Sequence, residues 1–193
     1  VSMIQISIDV DYFRGALVET GTLTPRRFSI ALNRAARRLA DLGLDSLIMS
    51  TLTWDEQVNF EVQYKLRPSK DVEEFTLLHD NLIFKFVDEG TKPHDIPDMS
   101  RPVEFDENGR PKLRKRLKYR SAFTPKTTPG ELMSGPGFSG GEFIYASLVH
   151  HPGAEPRNIS EQVREKIIEN MEDVIYEELD AAYERQWGRG RDE

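Results

Sequence analysis

The 193-residue chain has no cysteine, which excludes disulfides and thiolate chemistry and leaves the compartment open. No uninterrupted apolar run approaches the roughly 20 residues needed to span a bilayer. The first residues also lack the basic-then-apolar order of a signal peptide. The expectation is a soluble protein, without a membrane partner, that is made and kept in the cytoplasm. Apolar side chains are few for a globular enzyme, at 38% against 31% charged; that balance suggests one core with exposed loops or partner-dependent surfaces. Positive charge is in deficit, with a net charge of -7, which argues against DNA-backbone binding by the protein as a whole. There is no internal repeat. The glycine-rich run Ser134-Gly135-Pro136-Gly137-Phe138-Ser139-Gly140-Gly141 lacks the Lys-Ser/Thr end of a phosphate-binding loop, and no helix start follows it. No nucleophile, cofactor motif or catalytic pair stands out, so neither an enzyme nor a bound cofactor is expected.

What the chain does have is segments of clear period. Residues 3–10 alternate, with Ile4, Ile6, Ile8 and Val10 on one side, and read as a half-buried strand. Residues 11–23 read as a turn or short helix plus loop. Thr24-Pro25 is a helix start, a hydroxyl cap followed by proline at the first helical position. Phe28, Leu32, Ala35, Leu39 and Leu42 follow at helical spacing among Arg26, Arg27, Arg34, Arg37 and Arg38. That basic face could be solvated or could meet an acidic partner. Gly43 is expected to interrupt the helix, with residues 44–52 continuing it.

Residues 57–66 alternate strictly, with Val58, Phe60, Val62, Tyr64 and Leu66 on one side; they predict an antiparallel strand with one buried face. Two more runs, 75–78 and 82–87, are predicted as strands joined at His79-Asp80-Asn81 in a hairpin. After Gly90 the chain becomes rich in proline and glycine, with a short strand expected at 103–105. Arg110, Lys112, Arg114, Lys115, Arg116, Lys118 and Arg120 follow with no acid among them. Three readings suit this basic run: a solvated loop face, docking on an acidic neighbour such as the last helix of an adjacent copy, or contact with nucleic acid, for which aromatics interleave poorly. A loop of this length is functional or disordered and is expected to become ordered against a neighbouring subunit. Residues 143–149 read as a buried strand that stops at a Pro152-Gly153 turn. A helix is predicted from Ile159 to Trp187, capped by Asn158 and roughly 40 Å long. Its apolar stripe is Val163, Ile167, Met171, Ile175, Leu179 and Tyr183, and its other face is acidic.

The predicted fold is α+β: a mainly antiparallel sheet packed by an N-terminal amphipathic helix and a long C-terminal helix, with a long Pro/Gly-rich basic loop. The length suits one domain, 1–193, in which 106–141 is an extended loop and 188–193 a flexible tail. Candidate chemistry is sparse. Asp9 and Asp11 could bind a metal, although on a strand residues two apart share a face and are often only its polar side. Glu89, His94 and Asp95 would meet His150 and His151 in a metal or acid–base cluster if both strand ends lie on one sheet edge. No spacing matches a zinc or nuclease signature, and His151 is explained as the first residue of its turn. The enzymatic alternative is a metal-dependent hydrolase or nuclease using Asp9, Asp11, Glu89 and His94.

Two corners are distinctive. Glu89-Gly90-Thr91-Lys92-Pro93-His94, a variable loop, and then Phe143-x-x-Ala146-x-x-Val149-x-His151-Pro152-Gly153-x-x-Pro156-Arg157 together resemble the tail-component family of long-tailed bacteriophages. These are small neck or tail-completion proteins. Pro125-Lys126-Thr127-Thr128-Pro129-Gly130 and Ser134-Gly135 look like that family's loop, and the order of parts is similar from about residue 24 to 185. The resemblance implies a structural virion protein, not an enzyme. Copies would form a ring at the head–tail joint, sixfold or alternatively twelvefold, between the portal-side connector or head-closure protein and the tail tube or tail terminator. Double-stranded DNA would pass through the lumen without sequence-specific binding. It further implies a virion location after synthesis in the bacterial cytoplasm, and a subunit-contact role for the basic loop.

Overall fold

The long helical periods of the sequence become the two longest elements of the computed structural model. It describes residues 2–18, 21–54, 57–97, 117–124, 138–146 and 148–188. Along the chain these form β1 (Ser2–Ser7), α1 (Val10–Leu17), α2 (Pro25–Thr51), β2 (Glu61–Leu66), β3 (Val72–His79) and α3 (Leu82–Glu89). Then come β4 (His94–Pro97), β5 (Leu117–Thr124), β6 (Phe138–Ala146), β7 (Leu148–His151) and α4 (Ile159–Trp187). The architecture is α+β, with a three-stranded antiparallel sheet in the order β1-β3-β2 and helices layered on one face.

The register explains the layering. Ile4 pairs with Leu77 and Ile6 with Phe75, so these four side chains share a face, and all are at most 5% exposed. Against that face lies α4, whose Ile159, Val163, Ile167 and Ile175 are wholly buried. Burying each such side chain contributes about 1.5–3 kcal/mol. Contacts at Arg27–Ala182, Arg38–Glu177 and Ser46–Lys166 show that α2 runs antiparallel to α4. Gly43 does not interrupt α2. It lets the elements close up, because a Cβ there would sit 2.6 Å from Leu77 Cδ1 and 2.8 Å from Ile167 Cδ1. The basic face of α2 is not merely solvated, since Arg38 bridges Glu177 at 2.8 Å and Glu178 at 3.0 Å.

Several local expectations give way to competing interactions. The first strand stops at Ser7, because Asp9 accepts a hydrogen bond from the Tyr12 N–H at 3.0 Å and caps α1. Residues 82–87 form a helix instead of a strand. Asn81 accepts from the Phe84 N–H at 2.9 Å, the cap overrides local strand preference, and Phe84 and Asp88 turn inward together. The strand predicted at 57–66 begins only at Glu61. Its supposedly buried residues Tyr64 and Leu66 are 39% and 55% exposed, because β2 is an edge strand on the outer side of β3. The run 143–149 is divided between β6 and β7, and Phe143 and Ile144 are exposed. The extended loop contains structure: β5 and β6 pair antiparallel from Leu117–Ala146 to Thr124–Phe138. The strand expected at 103–105 and most of the tail at 188–193 lie outside the described residues. Among the described residues, no helix is long and apolar enough to cross a membrane.

A clasp fixes the β2–β3 turn. Wholly buried Asp71 receives Arg14 and, at 2.7 Å, the Ser69 hydroxyl. Asn33 donates to Lys70 O and accepts from the Val72 N–H. At the other end of β3, the buried His79 ring lies 4.4 Å from the Phe84 ring and 5.9 Å from that of Phe60. Burial holds its imidazole below the usual pKa, against the opposing pull of Asp88 and Asp80. The unfolded chain therefore takes up the proton first as pH falls. The stability that neutral His79 allows is complete above about pH 6.5 and is lost below it, at no more than about 1.4 kcal/mol per pH unit. Denaturant titrations at pH 7.5 and pH 5 should show wild type losing more stability than His79→Leu; equal losses would refute the assignment.

Candidate functional site

The two corners that carry the family resemblance become one unit. Gly90 ends α3 at φ +74°, and Gly153 follows β7 at φ +90°, a backbone region that L side chains avoid. Between them, Thr91 and Ala154 form an isolated antiparallel bridge, with N–H···O bonds of 2.9 and 3.0 Å. Each glycine is also a point of close approach. A Cβ on Gly90 would lie 2.6 Å from Ala154 O and 2.8 Å from Pro156 N; one on Gly153 would collide with Thr91 O and crowd Pro93 N at 3.0 Å. The first corner sits at a helix end and not at the strand end expected for it.

From this bridge β4 and β7 run as an antiparallel ladder, His94 opposite His151 and Asp95 opposite His150. The His94 and His151 rings stack with centroids 5.0 Å apart and 27° between planes. Their hydrogen bonds fix opposite tautomers. His94 Nδ1–H donates to Lys92 O at 2.8 Å, whereas His151 Nδ1 accepts from the Gly153 N–H at 3.0 Å. His151 is thus built into its turn, as the sequence suggests. His150 donates to Asp95 at 2.7 Å in an exposed pair, which contributes little to stability.

The corner also anchors α4. The Arg157 and Asn158 N–H groups donate to Val87 O and Asp88 O, both at 3.1 Å. The carboxylate of Asp88, 6% exposed, accepts from the Ser160 N–H at 3.0 Å. Asn158 occupies the cap position but makes no side-chain cap bond; Asp88 supplies it instead, and its negative charge suits a helix N-terminus. Sequence reasoning missed Asp88 because its partner lies 72 residues away and no local pattern marks it.

The acidic candidates do not gather in one place. Asp9 caps α1, and Asp11 pairs with Arg67 at 2.6 Å, which holds the Asp11 carboxyl below the usual range. Both lie beyond Ser7, at the sheet end that holds the β2–β3 turn. Glu89 ends α3 and His94 follows it, beyond His79 at the opposite end; Glu89 lies 3.9 Å from Lys85. Among the described residues no group of three or more His, Asp or Glu is placed to hold a metal ion. Of the basic run, Lys118 and Arg120 lie on β5, opposite Tyr145 and Phe143. Arg110, Lys112, Arg114, Lys115 and Arg116 lie outside the described residues. Comparison of the chain with protein-family models, with curated proteins and with solved structures gives no match.

Two substitutions test the corner. Gly153→Ala meets both the positive φ and the Thr91 carbonyl and should cost more than about 1 kcal/mol. Hydrogen exchange should speed at the Thr91 and Ala154 amides; unchanged protection there would refute the interlock. Asp88→Ala removes the cap of α4 and should lower stability by about 1–2 kcal/mol, read from thermal or denaturant unfolding.

Proposed function

We propose that this protein is a structural component of the neck of a long-tailed bacteriophage, a subunit of a ring that joins the DNA-filled head to the tail. The observation that carries the reading is the interlocked pair of corners. The residues Glu89, Gly90, Thr91, Pro93, His94, His151, Pro152, Gly153, Pro156 and Arg157, on which the family resemblance rests, belong to one bridged unit that also anchors the longest helix. Such a corner suits a rigid support, since the Thr91, Gly153, Ala154 and Arg157 amides are all bonded within the chain. The charge balance supports the reading as well. A channel wall for DNA must not hold the duplex, and a net charge of -7 keeps it from sticking. In a closed ring the contacts are heterologous, so a basic surface on one side of a subunit and an acidic one on the other suit it.

In this reading the ring has six members, or twelve, between the portal-side connector and the tail. The subunit is made in the bacterial cytoplasm and ends in the virion. Electron microscopy of a lysate from a phage with a nonsense mutation in this gene tests it. Filled heads beside separate tails of normal length are expected. Intact virions would overturn the proposal.

A further inference from the structure

The three-stranded sheet has two free edges. In the order β1-β3-β2, both outer strands lack a second partner among the described residues. Edge strands are usually guarded by lysine, proline or a bulge against pairing with other chains. β1 has none of these. Ser2-Met3-Ile4-Gln5-Ile6-Ser7 carries neither a charge nor a proline, and its ladder to β3 has no bulge. A groove of about 400 Å³ runs along this edge from Met3 to Ser7, walled by Ser160, Glu161 and Arg164 of α4. α4 runs in the same sense as β1, because Ile4 and Ile6 cluster with Ile159 and Val163, and Ile8 and Val10 with Ile175 and Leu179. Ser160, Arg164 and Ile168 recur every four residues on the flank beside the groove. Ile168, toward the Ser7 end, is 46% exposed.

The opposite edge of the sheet matches that groove. Ile4 and Val62 both pair with Leu77, and Ile6 and Tyr64 both pair with Phe75. The two edges are therefore level, and their apolar residues share the face that bears the helices. Tyr64 and Leu66 overhang that layer, 39% and 55% exposed. Glu61 and Lys65 alternate with them and point to the other face, where Lys65 lies 3.5 Å from Glu73 of its own sheet. β1 and β2 are each antiparallel to β3, and hence parallel to each other. The free backbone groups match as well. Glu73 O accepts from the Ile8 N–H at 2.9 Å, so residues 73, 75 and 77 turn their backbone groups to β1 and residues 74, 76 and 78 turn theirs to β2. The groups left at the free edges belong to Met3, Gln5 and Ser7 on β1 and to Val62 and Tyr64 on β2. In a parallel pair a residue bonds to the two that flank its opposite number. Gln5 set opposite Gln63 of another copy meets the Val62 carbonyl and the Tyr64 N–H.

We infer that β2 of one copy adds in parallel to the free edge of β1 of a second copy, with Val62 and Tyr64 beside Ile4 and Ile6 and Leu66 toward Ile168. The inference rests on the ring reading above and names the two surfaces that join. They are different surfaces of the chain, and because the edges are level a rotation without a rise relates the copies; contacts of that kind close into rings. Two β1 edges meeting about a twofold axis would leave Tyr64 and Leu66 uncovered, whereas the parallel junction covers both. The helix flanks suit each other too. The fields of Arg37 and Asp41 on α2 reach the Tyr64 hydroxyl, so this flank sits above β2 and comes to face Glu161 and Arg164 across the junction, with both signs on each side.

The chain has no cysteine, so single-cysteine variants of the full chain report the junction directly. Gln5→Cys is co-expressed with Gln63→Cys, and Met3→Cys with Glu61→Cys as a second pair at one level. All four positions are exposed, and unfolding midpoints check that each variant is folded. Adjacent strands lie about 4.8 Å apart, within reach of a disulfide. Mild oxidation should therefore give a disulfide dimer in each co-expressed pair and in none of the variants alone. In sedimentation velocity, wild type should self-associate and Leu66→Asp should do so about tenfold or more less tightly, because its carboxylate would be buried at the junction. Dimers of Gln5→Cys alone would show the twofold arrangement and overturn the inference. Dimers of Gln63→Cys alone, co-expressed pairs that give none, a monomeric wild type or undiminished association of Leu66→Asp would overturn it as well. Those failures remove the junction and leave the neck reading to the lysate experiment, whereas intact virions there remove the neck reading and leave the junction to the cross-links.

Discussion

The antiparallel seating of α2 on α4 is the constraint on which the rest of the fold depends. It joins the first quarter of the chain to its end, and both helices bury their apolar stripes against β1 and β3. The ion pairs of Arg38 lie at the rim of this contact and, being exposed, add little. The apolar stripe, from Ile159 to Ala182, and the close approach at Gly43 do most of the holding. A contact between such distant segments must offset the entropy of closing the chain between them.

The end of α3 and the start of α4 complete one another. The last carbonyls of α3 receive the first amides of the α4 segment, and Asp88 reaches across to Ser160. One short helix therefore serves as the cap of a long one, and it fixes where α4 starts relative to the sheet. His79 lies beside the same helix, boxed by Phe60 and Phe84. The acid sensitivity of that ring and the anchoring of α4 are thus features of one region. The twin glycines continue this arrangement outward, where backbone packed on backbone leaves no room for a side chain.

The long periods were legible in the sequence because they repeat: α4 has the predicted bounds, α2 starts at the predicted proline, and β1 carries two of the four predicted inward residues, Ile4 and Ile6. The turn at Gly153 was legible because proline followed by glycine permits few conformations. What was not legible depended on single side chains acting at short or very long range. Asn81 accepts from the amide three residues on and so converts a strand-like run into a helix; Asp9 makes the same bond at the end of β1 and starts α1 where a turn or short helix was expected. The run 82–87 is aromatic and β-branched enough to hide its helix. Exposure of Tyr64 and Leu66 follows from β2 being the outer strand, which alternation alone does not reveal. In the candidate site the corner residues could be picked out one by one, but their interlock arises from the pairing of β4 with β7, and no local pattern encodes Asp88.

The bridge between Thr91 and Ala154 has a topological consequence. The chain departs from the core at Gly90 and comes back beside its own point of departure, so residues 92–153 form an excursion whose two ends are already tied. Core packing is indifferent to the length of such an excursion, because doubling a closed loop costs only about 0.6 kcal/mol. The architecture behaves as a fixed socket with an exchangeable insert: β1, β3, α2, α3 and α4 can keep their geometry while the insert lengthens, shortens or changes its charge.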